Sequence, residues 1–136
     1  MGDYRPDFIR MDNYVFKKIA KDLEQILLDL EDRLIAFNIG KTGNSNNREY
    51  DYQNKGYTHF CEICYGTPEL INQGEKYLIA YFSEHASLKE KMANERGGGG
   101  GASDADLLYI AIRNRESNID DIDGNILPQG YPINLK

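Results

Sequence analysis

The chain has no tryptophan and only two cysteines, two histidines and four prolines among its 136 residues. With so few thiols, a disulfide framework cannot be what holds the fold together. No apolar run approaches the roughly 18 residues that a membrane span needs, and the first residues lack the apolar segment of a secretory signal. The sequence therefore predicts a soluble, intracellular protein that makes no use of a membrane.

An excess of positive charge is also missing, because 16 Lys and Arg stand against 22 Asp and Glu, which gives a net charge of −6. The acidic excess lies at both ends, and residues 38–96 are nearly balanced. A protein that neutralises many phosphates along DNA is usually basic. Any contact with nucleic acid is therefore expected to be local and sensitive to salt.

What is present fits a single domain over residues 1–136, since hydrophobic residues make up 40% and charged residues 28% of the chain. A helix is predicted over residues 13–33, because one apolar stripe recurs there at spacings of three and four. Its members are Phe16, Ile19, Leu23, Ile26 and Leu30. The stripe either covers the protein's own sheet, which we favour, or forms a homodimer through the helix at 13–33.

The rest of the pattern predicts an α+β fold, in which a small central antiparallel sheet of about three strands is flanked by helices. A loop of five glycines at 97–101 separates the core at 34–96 from a C-terminal strand and tail at 102–136. Strands are expected at 34–40, 57–65 and 107–112, a helix from Ser45 or Asn46 to about 54, and a helix from Pro68, capped by Thr67, to about 82.

Within this frame, Asn38-Ile39-Gly40-Lys41-Thr42 ends a predicted strand, Arg48 follows on a helix, and Glu75 and Asn94 come later in that order. This arrangement resembles the GIY-YIG endonucleases, which include homing, repair, restriction and viral nucleases. In that family a strand ending in Tyr-Ile-Gly precedes a helix with an arginine, a further strand and a helix with a glutamate. The resemblance covers about residues 34–96, and the order of the pieces carries it.

The resemblance implies a metal-dependent endonuclease that hydrolyses DNA phosphodiester bonds with Mg²⁺ or Mn²⁺. Glu75 would be the metal ligand, consistent with a magnesium ion that keeps most of its waters. Arg48 would brace the phosphate with paired donors. Substrate-binding roles would fall to Gly40, which lets the backbone approach closely, and to Lys41, Thr42 and Asn94.

The chain departs from the family at its first motif, Gly-Ile-Tyr, which is not visible upstream, and at Asn38, which replaces the second motif's tyrosine. In the family these tyrosines are implicated in deprotonating the nucleophile, and an amide has no useful basicity. Tyr52, four residues after Arg48, and Tyr109, in a strand that could take the missing edge position, are the candidate catalytic replacements. The alternatives are an inactive descendant that binds protein or nucleic acid, and a chance match.

Two further motifs are interpreted structurally. Cys61 and Cys64 have CxxC spacing, but residues three apart on a strand face opposite sides, so two buried cysteines are expected instead of a metal or redox pair. Residues 121–125 resemble part of a calcium loop, yet Gly130 stands where the loop's bidentate glutamate belongs. A turn is therefore expected there.

Overall fold

The computed structural model describes residues 6–94, 104–115 and 126–136, and these form an α+β fold, as predicted. The glycine loop at 97–101 and the expected turn at 121–125 lie outside the described residues. No helix among the described residues is long and apolar enough to cross a membrane. The elements are α1 (Pro6–Leu30), β1 (Leu34–Thr42), α2 (Ser45–Asn54), β2 (His59–Tyr65), α3 (Pro68–Ser83), β3 (Leu107–Asn114) and β4 (Ile133–Asn134), with single 3-10 turns at Glu31–Arg33 and Lys89–Lys91.

The sheet has the order β1-β3-β2-β4, so the strand that comes third in the chain lies in the middle. β3 runs antiparallel to both β1 and β2, whereas the two-residue β4 is parallel to β2. The sheet is therefore mixed and has four strands, which corrects the prediction of about three antiparallel strands. It also corrects the expected edge position of the Tyr109 strand. A central position suits β3, because residues 107–112 are buried on both faces.

The main core lies between one face of the sheet and the helices α1 and α3. α1 begins at Pro6 and ends at Leu30, so the predicted limits of 13 and 33 were wrong at both ends. Proline is well tolerated in a first helical turn, where its missing N–H costs no hydrogen bond. Phe16, Ile19 and Leu23 of the predicted stripe are fully buried in this core, so the stripe packs within the molecule.

Close packing of α1 on α3 depends on a glycine inside a helix. A Cβ on Gly74 would lie 2.5 Å from Cε1 and 2.7 Å from Cζ of Phe16. Glycine weakens a helix by about 1 kcal/mol relative to alanine. Here that cost is offset because the phenyl ring occupies the space beside the α3 backbone.

Helix α2 packs on the opposite face of the sheet and begins after the turn that follows β1. Its cap is Asn44, whose side-chain oxygen accepts from the backbone N–H of Asn47 at 3.1 Å, which corrects the expected caps Ser45 and Asn46. Thr67 caps α3 as predicted, since its hydroxyl accepts from the N–H of Leu70 at 3.3 Å. α2 thus starts directly beside the end of β1.

Cys61 and Cys64 both belong to the main core, although the spacing predicted that they face opposite sides. The register of β2 against β3 shifts between Glu62 and Cys64, and this irregularity rotates Cys64 to the face of Cys61. Both are free thiols. Burial raises the pKa of Cys61 to about 11 and that of Cys64 to about 12.

These pKa values predict slow thiol chemistry in the folded protein. Because the thiolate is the nucleophile, we expect neither Cys61 nor Cys64 to react with a thiol-specific disulfide reagent at pH 8 until the chain unfolds. A folded pKa above the unfolded value of 9.0 favours folding at lower pH and loses that contribution as pH rises from 9.0 to about 12. Absorbance kinetics with and without denaturant would check this, and fast native labelling of either residue would contradict it.

The outer edge of β1 is covered by the segment that follows α3. Met92 bridges to Phe37, and the N–H of Ala93 donates to the carbonyl of Phe37 at 2.7 Å. Asn94 then mimics a strand residue, because its Oδ1 accepts from the N–H of Ile39 at 2.9 Å and its Nδ2 donates to the carbonyl of Ile39 at 2.7 Å. The segment protects an edge that would otherwise be open to pairing.

Replacing Asn94 with alanine should therefore destabilise the fold by about 1–3 kcal/mol, because two backbone groups of Ile39 lose their partner. Asn94→Asp keeps the acceptor and loses the donor, so its loss should be intermediate near neutral pH. Urea unfolding of the two variants and the wild type would measure this series. An alanine variant as stable as the wild type would show that the clamp contributes nothing.

Candidate active site

The face of the sheet under α2 carries a small aromatic cluster. Tyr109 of β3 stacks on Phe60 of β2 with ring centroids 4.7 Å apart, and Tyr52 of α2 meets Tyr109 edge-on at 5.7 Å. The hydroxyls of Tyr52 and Tyr109 are hydrogen-bonded at 3.2 Å, and both residues are buried. The structure thus brings together the two tyrosines that the sequence offered as replacements.

Gly40 lies directly under Tyr109, its cross-strand partner in β1. A Cβ at this position would overlap the phenol hydroxyl and would lie 2.6 Å from Tyr109 Cζ. The glycine is therefore required for space. The sequence predicted that Gly40 leaves space for a close approach to the backbone. In this structure the phenol of Tyr109 occupies that space.

Asn38, which stands where the family has a tyrosine, extends the hydroxyl pair. Its Nδ2 donates to the hydroxyl of Tyr52, and its Oδ1 is buried without a hydrogen-bond partner among the described residues. Asn38, Tyr52 and Tyr109 therefore form one connected polar chain beneath α2. An amide cannot act as the base here, but it fixes the position of the Tyr52 oxygen.

Arg48 and Glu75, the two predicted catalytic charges, belong to different helices. Arg48 lies one turn before Tyr52 on α2, and its ion pair among the described residues is a 3.9 Å contact with Asp51 at a partly exposed position, which contributes little to stability. Glu75 of α3 is buried, with 4% of its surface exposed. The charges of both Arg48 and Glu75 influence the pKa of Tyr109.

The surroundings keep Tyr109 protonated. Burial is the largest cause that raises its pKa, followed by the hydrogen bond to Tyr52, while Arg48 lowers it and Glu75 raises it. Tyr109 is accordingly a neutral phenol near pH 7. It can donate and accept hydrogen bonds, but a phenolate base is disfavoured.

Lys41 is a buried cation on the strand next to Gly40. Its Nζ donates to Oδ1 of Asn72 in α3 at 2.9 Å, and among the described residues it forms no ion pair. A buried ammonium facing a neutral amide is costly unless an anion joins it. Asn72 lies one turn from Glu75 on α3, so this cation and the buried carboxylate share one region.

In the structure, the side chains of Thr42 and Asn94 form hydrogen bonds with backbone groups. The hydroxyl of Thr42 accepts from the N–H of Asn44 at 2.9 Å and donates to the carbonyl of Asn44 at 3.2 Å, which shapes the turn into α2. Asn94 clamps the edge of β1, as described above. Substrate binding by these two residues stays a prediction.

A metal at this site would have Glu75 as its protein ligand. Among the described residues, no three His, Cys, Asp or Glu side chains come together to hold an ion. Among these residues the protein would therefore supply one ligand group, the carboxylate of Glu75, whose oxygens are hard donors. One carboxylate could ligate only an ion that keeps most of its waters, as Mg²⁺ does, and binding of Mg²⁺ or Mn²⁺ by Glu75 stays a prediction.

The sequence analysis did not identify Phe60 and Asn72 as supporting residues. It also did not predict that the amide of Asn38 donates a hydrogen bond to the hydroxyl of Tyr52. The alternation of Phe60 and Glu62 on β2 could have placed Phe60 on the face of Tyr109, but only once the pairing with β3 was known. Comparison of the chain with protein-family models, curated proteins and solved structures finds no match.

Proposed function

We propose that the protein is a metal-dependent endonuclease that hydrolyses DNA phosphodiester bonds, with a site like that of the GIY-YIG nucleases. The observation that carries the proposal is the buried pair of hydroxyls of Tyr52 and Tyr109 beside Gly40, with Arg48 one turn before Tyr52 on α2.

The arrangement suggests a division of roles. Arg48 and the buried Lys41 attract the phosphate, and the guanidinium can bind two of its oxygens. Glu75 would hold the divalent ion, which when bound supplies charge stabilisation at the phosphate oxygens and lowers the pKa of a water. Tyr109, as a neutral phenol, and the Tyr52 hydroxyl bonded to it orient the attacking water by hydrogen bonds.

The position of β3 suggests how the missing first motif is replaced. In the family the Gly-Ile-Tyr strand precedes the Tyr-Ile-Gly strand, whereas here a strand with Tyr109 follows the glutamate helix and pairs with β1. We infer that Tyr109 supplies the tyrosine of the first motif from the other end of the chain. The polar chain from Asn38 through Tyr52 supports this inference.

The test is a nicking assay with purified wild-type protein and supercoiled plasmid, in Mg²⁺, in Mn²⁺ and in EDTA. We expect metal-dependent conversion to open circles that weakens as salt rises, because the net charge of −6 limits contact with DNA to a local patch. Linear, single-stranded and branched DNA extend the range of substrates. No cleavage of any form with either metal would reject the proposal.

A second candidate is a non-enzymatic protein that keeps this fold and binds protein or nucleic acid, including as a homodimer. It is favoured by Asn38 at the tyrosine position and by the raised pKa of Tyr109. The apolar stripe of α1 is buried in the protein's own core, so the dimer would need another surface. Light scattering tests the dimer, and measured turnover in the nicking assay would exclude the inactive version.

A further inference from the structure

The end of the sheet at which β1 and β2 begin and β3 ends carries four exposed cations. They are Arg33, Lys55, Arg113 and Arg115, and we refer to them as the basic end. Among the described residues, none of the four forms an ion pair with a carboxylate. In a chain of net charge −6, such a group forms a local positive surface.

Pairing of the strand ends places two of these cations side by side. Leu34 at the start of β1 pairs with Asn114 at the end of β3. Just beyond this pair, the N–H of Arg115 donates to the carbonyl of Arg33 at 2.6 Å. Their positions are therefore fixed by the backbone of the sheet.

The end of α2 adds the other two cations. Gly56 turns the chain directly after Lys55 with a φ of 88°, a conformation that favours glycine. A Cβ on Gly56 would lie 3.8 Å from Cζ of Arg113, so the guanidinium lies against this turn. The negative end of the α2 dipole favours cations at this place without neutralising their charge as a carboxylate would.

The basic end is continuous with the candidate active site along two elements. Side chains alternate between the faces of β3, so Arg113 lies on the same face as Tyr109, under α2. Lys55 follows Arg48 by seven residues, or two helical turns, so both lie on one side of α2. The Nζ atom of Lys55 is 5.2 Å from the ring centre of Tyr52, which lies between them on the helix.

The distance between the two places can be compared with the spacing of phosphates. At 1.5 Å per residue, Arg48 and Lys55 are about 10 Å apart along α2. At about 3.3 Å per residue, Tyr109 and Arg113 are about 13 Å apart along β3. Successive phosphates of one DNA strand advance by about 3.4 Å. A strand whose reacting phosphate lies at Arg48 would therefore reach the basic end about three to four nucleotides further on.

We propose that the basic end binds the phosphate backbone of DNA on one side of the cleaved bond, about three to four nucleotides from it. The inference rests on the proposed function and names the part of the substrate that this surface holds. Lysine and arginine side chains only donate hydrogen bonds, so they bind anionic oxygens whatever the bases are. The contact is therefore independent of sequence and weakens as salt rises.

The experiment measures fluorescence anisotropy of a labelled DNA duplex of about 20 base pairs with full-length protein, in EDTA and at several salt concentrations. We expect Arg113→Gln and Lys55→Gln each to weaken binding roughly three- to tenfold at about 0.1 M salt. Each should also reduce the slope of log affinity against log salt by about 0.9, and the double variant by about 1.8. Duplexes of different sequence should behave alike.

Lys17→Gln is the matched control, because Lys17 is exposed on α1, which packs on the opposite face of the sheet. It removes the same charge and should leave the affinity within about twofold of the wild type. A loss equal to that of Arg113→Gln would show an effect of net charge alone and would overturn the proposal. Unchanged affinity and slope in Arg113→Gln would also overturn it. Arg113→Gln keeps the test decisive if Lys55→Gln disturbs the ring of Tyr52.

A polyglutamate peptide with the same number of charges as the duplex tests the class of partner. We expect it to compete with DNA only weakly, because a flexible chain must be ordered to present its carboxylates to fixed cations. Displacement of the duplex at equal concentration would overturn nucleic acid as the partner and identify an acidic protein segment instead.

The two proposals can fail separately. DNA binding that depends on Arg113 and Lys55, in a protein that nicks no DNA, would keep the basic end and reject the nuclease. Nicking by a protein whose DNA affinity is the same in these variants would keep the nuclease and reject the basic end.

Discussion

Glu75→Gln is expected to slow plasmid nicking by roughly 100-fold or more in both Mg²⁺ and Mn²⁺. The substitution removes the carboxylate charge proposed to hold the cation and preserves the volume of a side chain that is 4% exposed. Because glutamine is nearly isosteric, the fold should persist. Initial rates of conversion from supercoiled to open-circular plasmid give the measurement.

Glu90→Gln is the control for Glu75→Gln, because Glu90 is exposed in the 3-10 turn at Lys89–Lys91 and should leave nicking unchanged. Glu75→Ala should be at least as inactive, with an added loss of packing. Circular dichroism must show a folded protein in each case. A folded Glu75→Gln variant with wild-type nicking would remove the carboxylate from the mechanism and with it the proposed metal ligand.

Gly40→Ala is expected to destabilise the protein by about 1–3 kcal/mol and to remove most of the nicking activity. The added methyl group would lie 2.6 Å from Tyr109 Cζ, so the phenol must move. Tyr109 is held by its stack on Phe60 and by the hydroxyl of Tyr52, so a shift breaks one of these contacts. Urea unfolding and the plasmid assay measure the two effects.

The chain offers a matched glycine three residues away. A Cβ on Gly43 would meet no atom within 4 Å, so Gly43→Ala should leave stability within about 1 kcal/mol of the wild type and leave cleavage intact. Equal effects at Gly40 and Gly43 would show that the approach of Tyr109 to the β1 backbone has no bearing on the site. A loss confined to Gly40 would place the tyrosine pair within the working site.

Much of the local structure could be predicted from the sequence, because it depends on neighbours in the chain. The spacing of Phe16, Ile19 and Leu23 gave the helix and its buried face, and Thr67 before Pro68 gave the start of α3. The ends of helices were harder to predict. Asn44 caps α2 where Ser45 or Asn46 was expected, because all three residues can make the same capping hydrogen bond.

Pairing between distant segments could not be predicted in this way. Alternation along β2 placed Cys61 and Cys64 on opposite faces, and the shift in register that unites them depends on how β3 lies beside them. The same holds for the site. Resemblance selected Arg48 and Glu75 and made Tyr109 a candidate, but the contact of Tyr109 with Gly40 depends on β3 lying in the middle of the sheet.

The central place of β3 also bears on how the protein is made. β1 and β2 pair with β3 and not with each other, so neither gains its ladder of hydrogen bonds before residues 107–114 leave the ribosome. Until then a nascent chain carries two strands with unsatisfied edges, which are sites for association with other chains. The tyrosine pair likewise forms only after Tyr109 has left the ribosome, since its hydroxyl is the partner of Tyr52.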